Sequence, residues 1–302
     1  HKSFAGLTNV KIGGSYASEN NQQLDKLYDT LLPVSFAFNT WQVYVKSSDK
    51  NTNKWGITYF TREDQIPIQK KLTTQDKSQN INLMTELMKN EKEQADIAVI
   101  CTPNGLHASH SIACLENGWH VLCEKPMAIS IQSAQEMIKI SDKTGKKLFI
   151  VKQNRYNPPV MAVKKLLEEK KLGKILSVQL NCFWNRDAAY YDSLWKGTKE
   201  MDGGILYTQF SHFIDLVYWL IGDISTTHSF SENLLLGNKI EFEDNCVAIV
   251  KFKNGAVGSM HFTINSYKKN MEGSITIFGE KGTIKIGGQY LNKLEYQCME
   301  DA

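Results

Sequence analysis

Short apolar runs, each stopped by a polar, proline-bearing tripeptide, organise the first half of the chain. Residues 95–101 (ADIAVIC) read as a buried parallel strand halted by Thr102, Pro103 and Asn104. A helical stretch over about 107–117 follows, with Gly118 placed to cap its C-terminus. Residues 120–123 (HVLC) are the next strand, halted by Glu124, Lys125 and Pro126. Ser130 is positioned to cap a helix that runs to about Thr144, and residues 147–151 (KLFIV) are strand again. Strands and helices alternating over short connections predict right-handed parallel crossovers with helices covering a sheet.

Beyond residue 151 the pattern changes. Residues 163–172 form an amphipathic helix whose Lys164/Glu168 and Lys165/Glu169 pairs have i,i+4 spacing on a solvated face. Alternating stretches at 175–184, 245–252, 256–265, 274–278 and 282–286 predict strands. Asn254-Gly255 and Lys281-Gly282 supply hairpin turns between neighbours. The expected fold is a parallel α/β domain over residues 1–151, then an α+β domain over 152–302 with an open, mainly antiparallel sheet.

Charge and composition narrow the function. Among 302 residues, 35 Lys and Arg against 32 Asp and Glu leave a net charge of +3, too near neutral to predict nucleic acid or an anionic membrane as partner. With 42% hydrophobic and 22% charged residues, the chain can bury a substantial core. The six cysteines form no CxxC pair and no disulfide framework, and Cys101, Cys114 and Cys123 sit in apolar runs. Reduced core thiols in a cytoplasmic protein are expected, and no secretory signal pattern opens the chain. The stretch 203–222, poor in charge, carries Thr208, Gln209, Ser211, His212 and Asp215, too polar a set for a lipid-facing span.

Two places carry candidate chemistry. Ligands of an open parallel sheet lie beyond the carboxyl ends of its strands, where Thr102-Pro103-Asn104 and Glu124-Lys125-Pro126 stand. The other is an apolar helix expected over 204–221, broken by a polar stripe of Thr208, His212 and Asp215 at i, i+4 and i+7. Burying these groups unpaired costs about 1–3 kcal/mol each, so they need partners or a wet cavity. Asp215 is placed to hydrogen-bond the His212 ring and fix its tautomer. His-x-x-Asp is also a metal-pair spacing, but no further ligand clusters in register and no metal is expected.

The run CTPNGLHASHSIACLENGWHVLCEKP, then QNRYNP, then WKGTKEMDGGILYTQFSHFIDLVYWLIGD resembles the Gfo/Idh/MocA oxidoreductase family, continuously over about 95–287. The resemblance implies an N-terminal Rossmann domain for NAD or NADP and a C-terminal domain whose open sheet often forms homo-oligomers, dimers or tetramers. It implies hydride transfer between nicotinamide and a carbon of a small sugar or cyclitol. Carried over by position, Gly13, Gly14, Thr102, Pro103, Asn104, His107, Glu124, Lys125 and Gln153 meet the cofactor. His212 is the acid/base on the substrate hydroxyl and Lys125 its helper. Arg155, Tyr156, Trp195, Lys196, Thr208 and Asp215 stand on the substrate side.

The family pattern is broken in two places. Inositol-dehydrogenase-like members carry aspartate four residues before the histidine, where this chain has Thr208; members acting on UDP-linked aminosugar uronates also lack that aspartate and use a neutral residue there. That points to a nucleotide-sugar dehydrogenase of surface-polysaccharide synthesis, with Arg155 or Lys196 meeting a uronate or phosphate. The glycine fingerprint is degraded to VKIGGSYAS at 10–18, and Ser47 takes the place of the usual ribose-binding carboxylate, with Asp49 and Lys50 beside it. A non-catalytic dinucleotide or sugar sensor, and an inositol or free-sugar dehydrogenase, are the alternative readings.

Overall fold

A computed structural model describes residues 41–46 and 55–61 as strands, and 96–193 and 195–300 with their side chains. Gly13, Gly14, Ser47, Asp49 and Lys50 lie outside the described residues. The first sheet has the order β2-β1-β3-β4-β5, with β1 Trp41–Lys46, β2 Trp55–Thr61, β3 Ile97–Ile100, β4 His120–Cys123 and β5 Leu148–Ile150. β3, β4 and β5 are parallel, Ile97 opposite His120 and Val121 opposite Leu148, so their carboxyl ends share one edge. The expected parallel arrangement holds there, but β1 runs antiparallel to both β2 and β3. Residues 47–54 are too few for the dozen or more that a parallel crossover takes, so β1 and β2 pair as an antiparallel edge on a parallel sheet.

Helices α1 (His107–Glu116) and α2 (Ile131–Thr144) cover this sheet. Gly118, at φ 88°, follows α1 in the left-handed region that glycine tolerates. Ser130 caps α2, its hydroxyl oxygen accepting from the Ser133 N–H at 3.1 Å. Ala98, Ile100, Leu115, Trp119, Val121 and Met137 pack as the core between the layers. Cys114 and Cys123 are buried as expected, whereas Cys101, one residue past the end of β3, is exposed; all six cysteines are free thiols.

The second sheet has seven strands in the order β12-β11-β10-β6-β9-β8-β7. They are β6 Ile175–Phe183, β7 Ile224–Glu232, β8 Asn245–Phe252, β9 Val257–Thr263, β10 Glu272–Gly279, β11 Gly282–Gly287 and β12 Lys293–Met299. Only the β6–β9 pair is parallel. One face packs against helices α3 (Pro158–Glu168), α4 (Ile205–Thr208) and α5 (Ser211–Ile221), burying Val163, Leu180, Phe213, Val217, Phe262 and Ile275 together. The opposite face is open and carries exposed Val247, Ile249, Val257 and Phe278.

Three sequence expectations are corrected here. Helix α3 starts at Pro158, not residue 163, because proline suits the first helical turn where an N–H is unpaired anyway. The continuous helix over 204–221 is two helices: the Phe210 N–H reaches the Ile205 carbonyl at 2.9 Å, one residue further back than a regular turn. Strands β7 and β12 went unpredicted, since β7 is exposed along its whole length and so shows no alternation of buried and solvent positions.

Candidate active site

The loop after β3 is fastened to the segment that leads into α4. The Asn104 amide donates to the Asp202 carbonyl and to the Thr208 hydroxyl, both at 2.8 Å. The Thr208 hydroxyl in turn donates to the Asp202 carboxylate, whose other oxygen accepts from the Gly197 N–H at 2.9 Å. Next along the loop, the Gly105 N–H donates to the Met201 carbonyl at 2.8 Å. A Cβ on Gly105 would overlap the Glu200 carbonyl oxygen and sit 2.9 Å from the Met201 Cα, so only glycine permits this approach. Leu106, Met201 and Trp195 seal the contact with a small apolar cluster. Every member of this buried polar network has a partner, as burial demands.

His107 ties the two strand-end loops together. Its Nδ1 lies 2.6 Å from the Pro126 carbonyl and its Nε2 2.6 Å from the Thr102 carbonyl. Burial lowers the ring's pKa from the usual histidine range, while the two carbonyls act to raise it. In this buried position the ring ties the two strand-end loops to each other.

From the end of β4, the Lys125 ammonium donates to the Thr208 carbonyl at 2.7 Å. The Lys152 ammonium reaches the Ser211 carbonyl at 3.4 Å. Those two carbonyls bracket the break between α4 and α5, and His212 follows directly. The imidazole is 7% exposed, and its Nδ1 has no hydrogen-bond partner. Burial, then the charges of Lys125 and Lys152, push its pKa down to about 3. At neutral pH the ring is therefore uncharged and able to accept a proton.

Asp215 does not orient that ring. Its carboxylate is taken by Arg155 in a bidentate pair, Nε to Oδ2 at 2.7 Å and Nη2 to Oδ1 at 2.6 Å. The break in the helix turns the three stripe residues to different neighbours: Thr208 to Asn104 and Asp202, His212 to the lysines, Asp215 to Arg155. Thr208, Asp215 and Arg155, all expected on the substrate side, have their polar groups engaged within the protein. Gln153 and Tyr156 are exposed on a short turn after β5. Half-buried Glu124 has its carboxyl pKa raised by burial and accepts from the Lys125 N–H at 3.3 Å. Lys196 extends over the Tyr190 ring at 4.0 Å.

Asp202, Lys152 and Arg186 were missed by sequence reasoning. An aspartate inside MDGG invites a turn assignment, and Arg186 follows a strand end with no spacing signal; only the fold brings them to Lys125. Among the described residues no cluster of three or more His, Cys, Asp or Glu side chains is arranged to hold a metal, and no helix is long and apolar enough to cross a membrane.

A sheet of dinucleotide-binding type, stitched at its strand ends to an open-sheet unit carrying a neutral histidine, is the architecture of two-part nucleotide-dependent oxidoreductases. The chain belongs to the Gfo/Idh/MocA family: residues 16–152 match the oxidoreductase family with NAD-binding Rossmann fold, and residues 160–285 match the GFO/IDH/MocA C-terminal domain. Among solved structures it is similar to the WlbA dehydrogenase from Bordetella pertussis in complex with NADH and UDP-GlcNAcA. The two are 39% identical with a TM-score of 0.69, over 72% of this chain and 67% of that one. The WlbA structure from Chromobacterium violaceum, with the same ligands, is also 39% identical, with a TM-score of 0.67 over 73% of this chain and 68% of that one. Levoglucosan dehydrogenase from Pseudarthrobacter phenanthrenivorans is 27% identical over 226 residues, 67% of this chain and 58% of the relative. The chain thus spans a little over half the length of the curated relatives it matches first.

Proposed function

We propose that this chain is an NAD-dependent dehydrogenase that oxidises a ring hydroxyl, the 3-hydroxyl by family analogy, of a nucleotide-linked aminosugar uronate for surface-polysaccharide synthesis. In this reading residues 1–151 bind the dinucleotide and residues 152–302 bind the sugar, with the open sheet face available to a second copy. The single observation that carries it is the anchored Lys125 ammonium beside a buried, uncharged His212. Two similar structures at 39% identity, both with NADH and UDP-GlcNAcA bound, support the substrate class.

The strand-end residues fit the cofactor. Thr102, Pro103, Glu124 and Lys125 stand at the carboxyl ends of adjacent parallel strands, and exposed Gln153 flanks them, where an open α/β sheet takes its ligand. A bound nicotinamide supplies the hydride acceptor. His212 accepts the hydroxyl proton as the carbon loses its hydrogen with the bonding electron pair, leaving a ketone and an imidazolium that gives its proton to solvent. Lys125 donates to the same oxygen and keeps His212 unprotonated beforehand.

The test is NADH formation from NAD and UDP-GlcNAcA. His212→Ala lowers kcat by about 100-fold or more, while tryptophan-to-NADH energy transfer reports an unchanged dinucleotide affinity. Full turnover in this variant overturns the assignment. NADH binding with no turnover of any nucleotide sugar, inositol or free sugar by the unaltered protein favours a sensor.

A further inference from the structure

Asp202 is 0% exposed, yet the proton transfer from sugar to His212 gives it no step. An ionised carboxylate so enclosed needs hydrogen-bond donors and opposite charge around it. It has both. Oδ2 accepts from the Gly197 N–H at 2.9 Å, and Oδ1 accepts from the Thr208 hydroxyl, with the Asn104 amide nitrogen 3.5 Å from the same oxygen. All three groups on its oxygens can donate, which satisfies a carboxylate. Burial raises its pKa, while these bonds and the charges of Lys196 and Lys125 act against that rise.

Thr208 is the bridge between this carboxylate and the catalytic amine. Its hydroxyl donates to Asp202, and its carbonyl accepts from the Lys125 ammonium at 2.7 Å. Thr208 carries no charge of its own, so the negative charge in contact with it arrives from six residues earlier in the chain. Because the hydrogen-bond partner of Lys125 is a neutral carbonyl, the charge of the ammonium is offset at longer range. Glu124 and Asp202 favour that charge; burial, Lys152 and Arg186 oppose it. Glu124 stands half-buried at the strand end, whereas Asp202 is enclosed and held on both oxygens. Donating to the substrate oxygen and disfavouring a proton on His212 both require the ammonium form of Lys125.

We propose that Asp202 is a positioning residue for the Lys125–His212 pair: it fixes the Thr208 carbonyl on which the amine is anchored and supplies a buried countercharge to that amine. The proposal rests on the dehydrogenase reading for the reaction it serves. Charge and anchor are then delivered by one side chain, through the two oxygens of a single neighbour.

Removing a negative charge lowers the pKa of a nearby lysine. In Asp202→Asn the Lys125 side chain therefore titrates about 0.5–1 pH unit lower, followed by NMR of the lysine Cε signals and assigned by its absence from Lys125→Met. His212, held at about 3, does not titrate in that range, so the alkaline limb of kcat/KM with UDP-GlcNAcA moves down with Lys125. Thr208→Val breaks the same network but keeps the charge, and leaves the Lys125 titration in place. Should Asp202→Asn fail to fold, the reciprocal measurement serves: loss of the ammonium in Lys125→Met raises the pKa of the Asp202 carboxyl. A Lys125 signal unmoved in Asp202→Asn, or an Asp202 signal unmoved in Lys125→Met, overturns the proposal. An equal movement in Thr208→Val also overturns it, because geometry and not charge then sets the amine. If Lys125 responds to Asp202→Asn while the unaltered protein oxidises no sugar, the charge coupling stands and the dehydrogenase reading falls.

Discussion

The Lys125 ammonium lies 2.7 Å from the Thr208 carbonyl, so an amine from the first sheet's loop is anchored on the last residue of α4, just ahead of the turn that presents His212. Distance and direction between the amine and the imidazole are therefore set by one hydrogen bond and one helix break. The charge is held where it disfavours a second positive charge on the ring.

Removing that charge raises the His212 pKa from about 3, though not to the unperturbed value near 6.5, because burial is the larger cause. Lys125→Met followed by NMR titration of the imidazole signals checks this. An unmoved His212 resonance contradicts the electrostatic coupling. The same coupling places the acidic limb of kcat/KM well below pH 6.5 in the unaltered enzyme.

Stability carries the same signature. His212 binds a proton near pH 6.5 when unfolded and only near pH 3 when folded, so the unfolded state holds more protons between those values. The contribution is present above pH 6.5 and is lost as pH falls from 6.5 towards 3. Buried His110, also held at about 3, adds a parallel slope. Thermal melting across this range is expected to show a shallower decline for His212→Gln than for the unaltered chain; identical profiles refute the burial of a neutral ring.

Gly105→Ala forces its new methyl against the Glu200 carbonyl oxygen, and the loop after β3 has to lift from residues 200–202. The overpacking costs about 1–3 kcal/mol of stability. Because Asn104 moves with it, NADH affinity is expected to fall together with Tm. A fully stable variant with normal affinity argues against the stitched loop.

Thr208→Val keeps the shape but removes the hydroxyl that accepts from Asn104 and donates to Asp202. Two buried groups lose a partner, at a cost of about 1–3 kcal/mol. The Thr208 carbonyl still anchors Lys125, so kcat is expected to change by less than about tenfold. A collapse comparable to that of His212→Ala makes the hydroxyl part of the proton path.

The strand ends at Thr102–Asn104 and Glu124–Pro126 were legible in sequence because short apolar runs stopped by proline-bearing tripeptides have few other meanings in an alternating α/β pattern. Lys125 and His212 were legible through motif resemblance, and their polarity on an apolar background agreed. Periodicity suggested one helix face for Thr208, His212 and Asp215; the wider turn at Phe210, a backbone event with no residue signature, sent each elsewhere. Asp202 and Arg186 gain their surroundings only from contacts across the chain, such as Asn104 with Asp202, which span separations no local pattern encodes. The exposed edge strand β7 lacked a buried face and hence any period to detect.

The fastening of Asn104 and Gly105 onto Met201 and Asp202 bears on how molecules enter and leave. Swinging the two sheets apart would break these bonds and the lysine anchor together, so any such opening carries the cost of all of them at once.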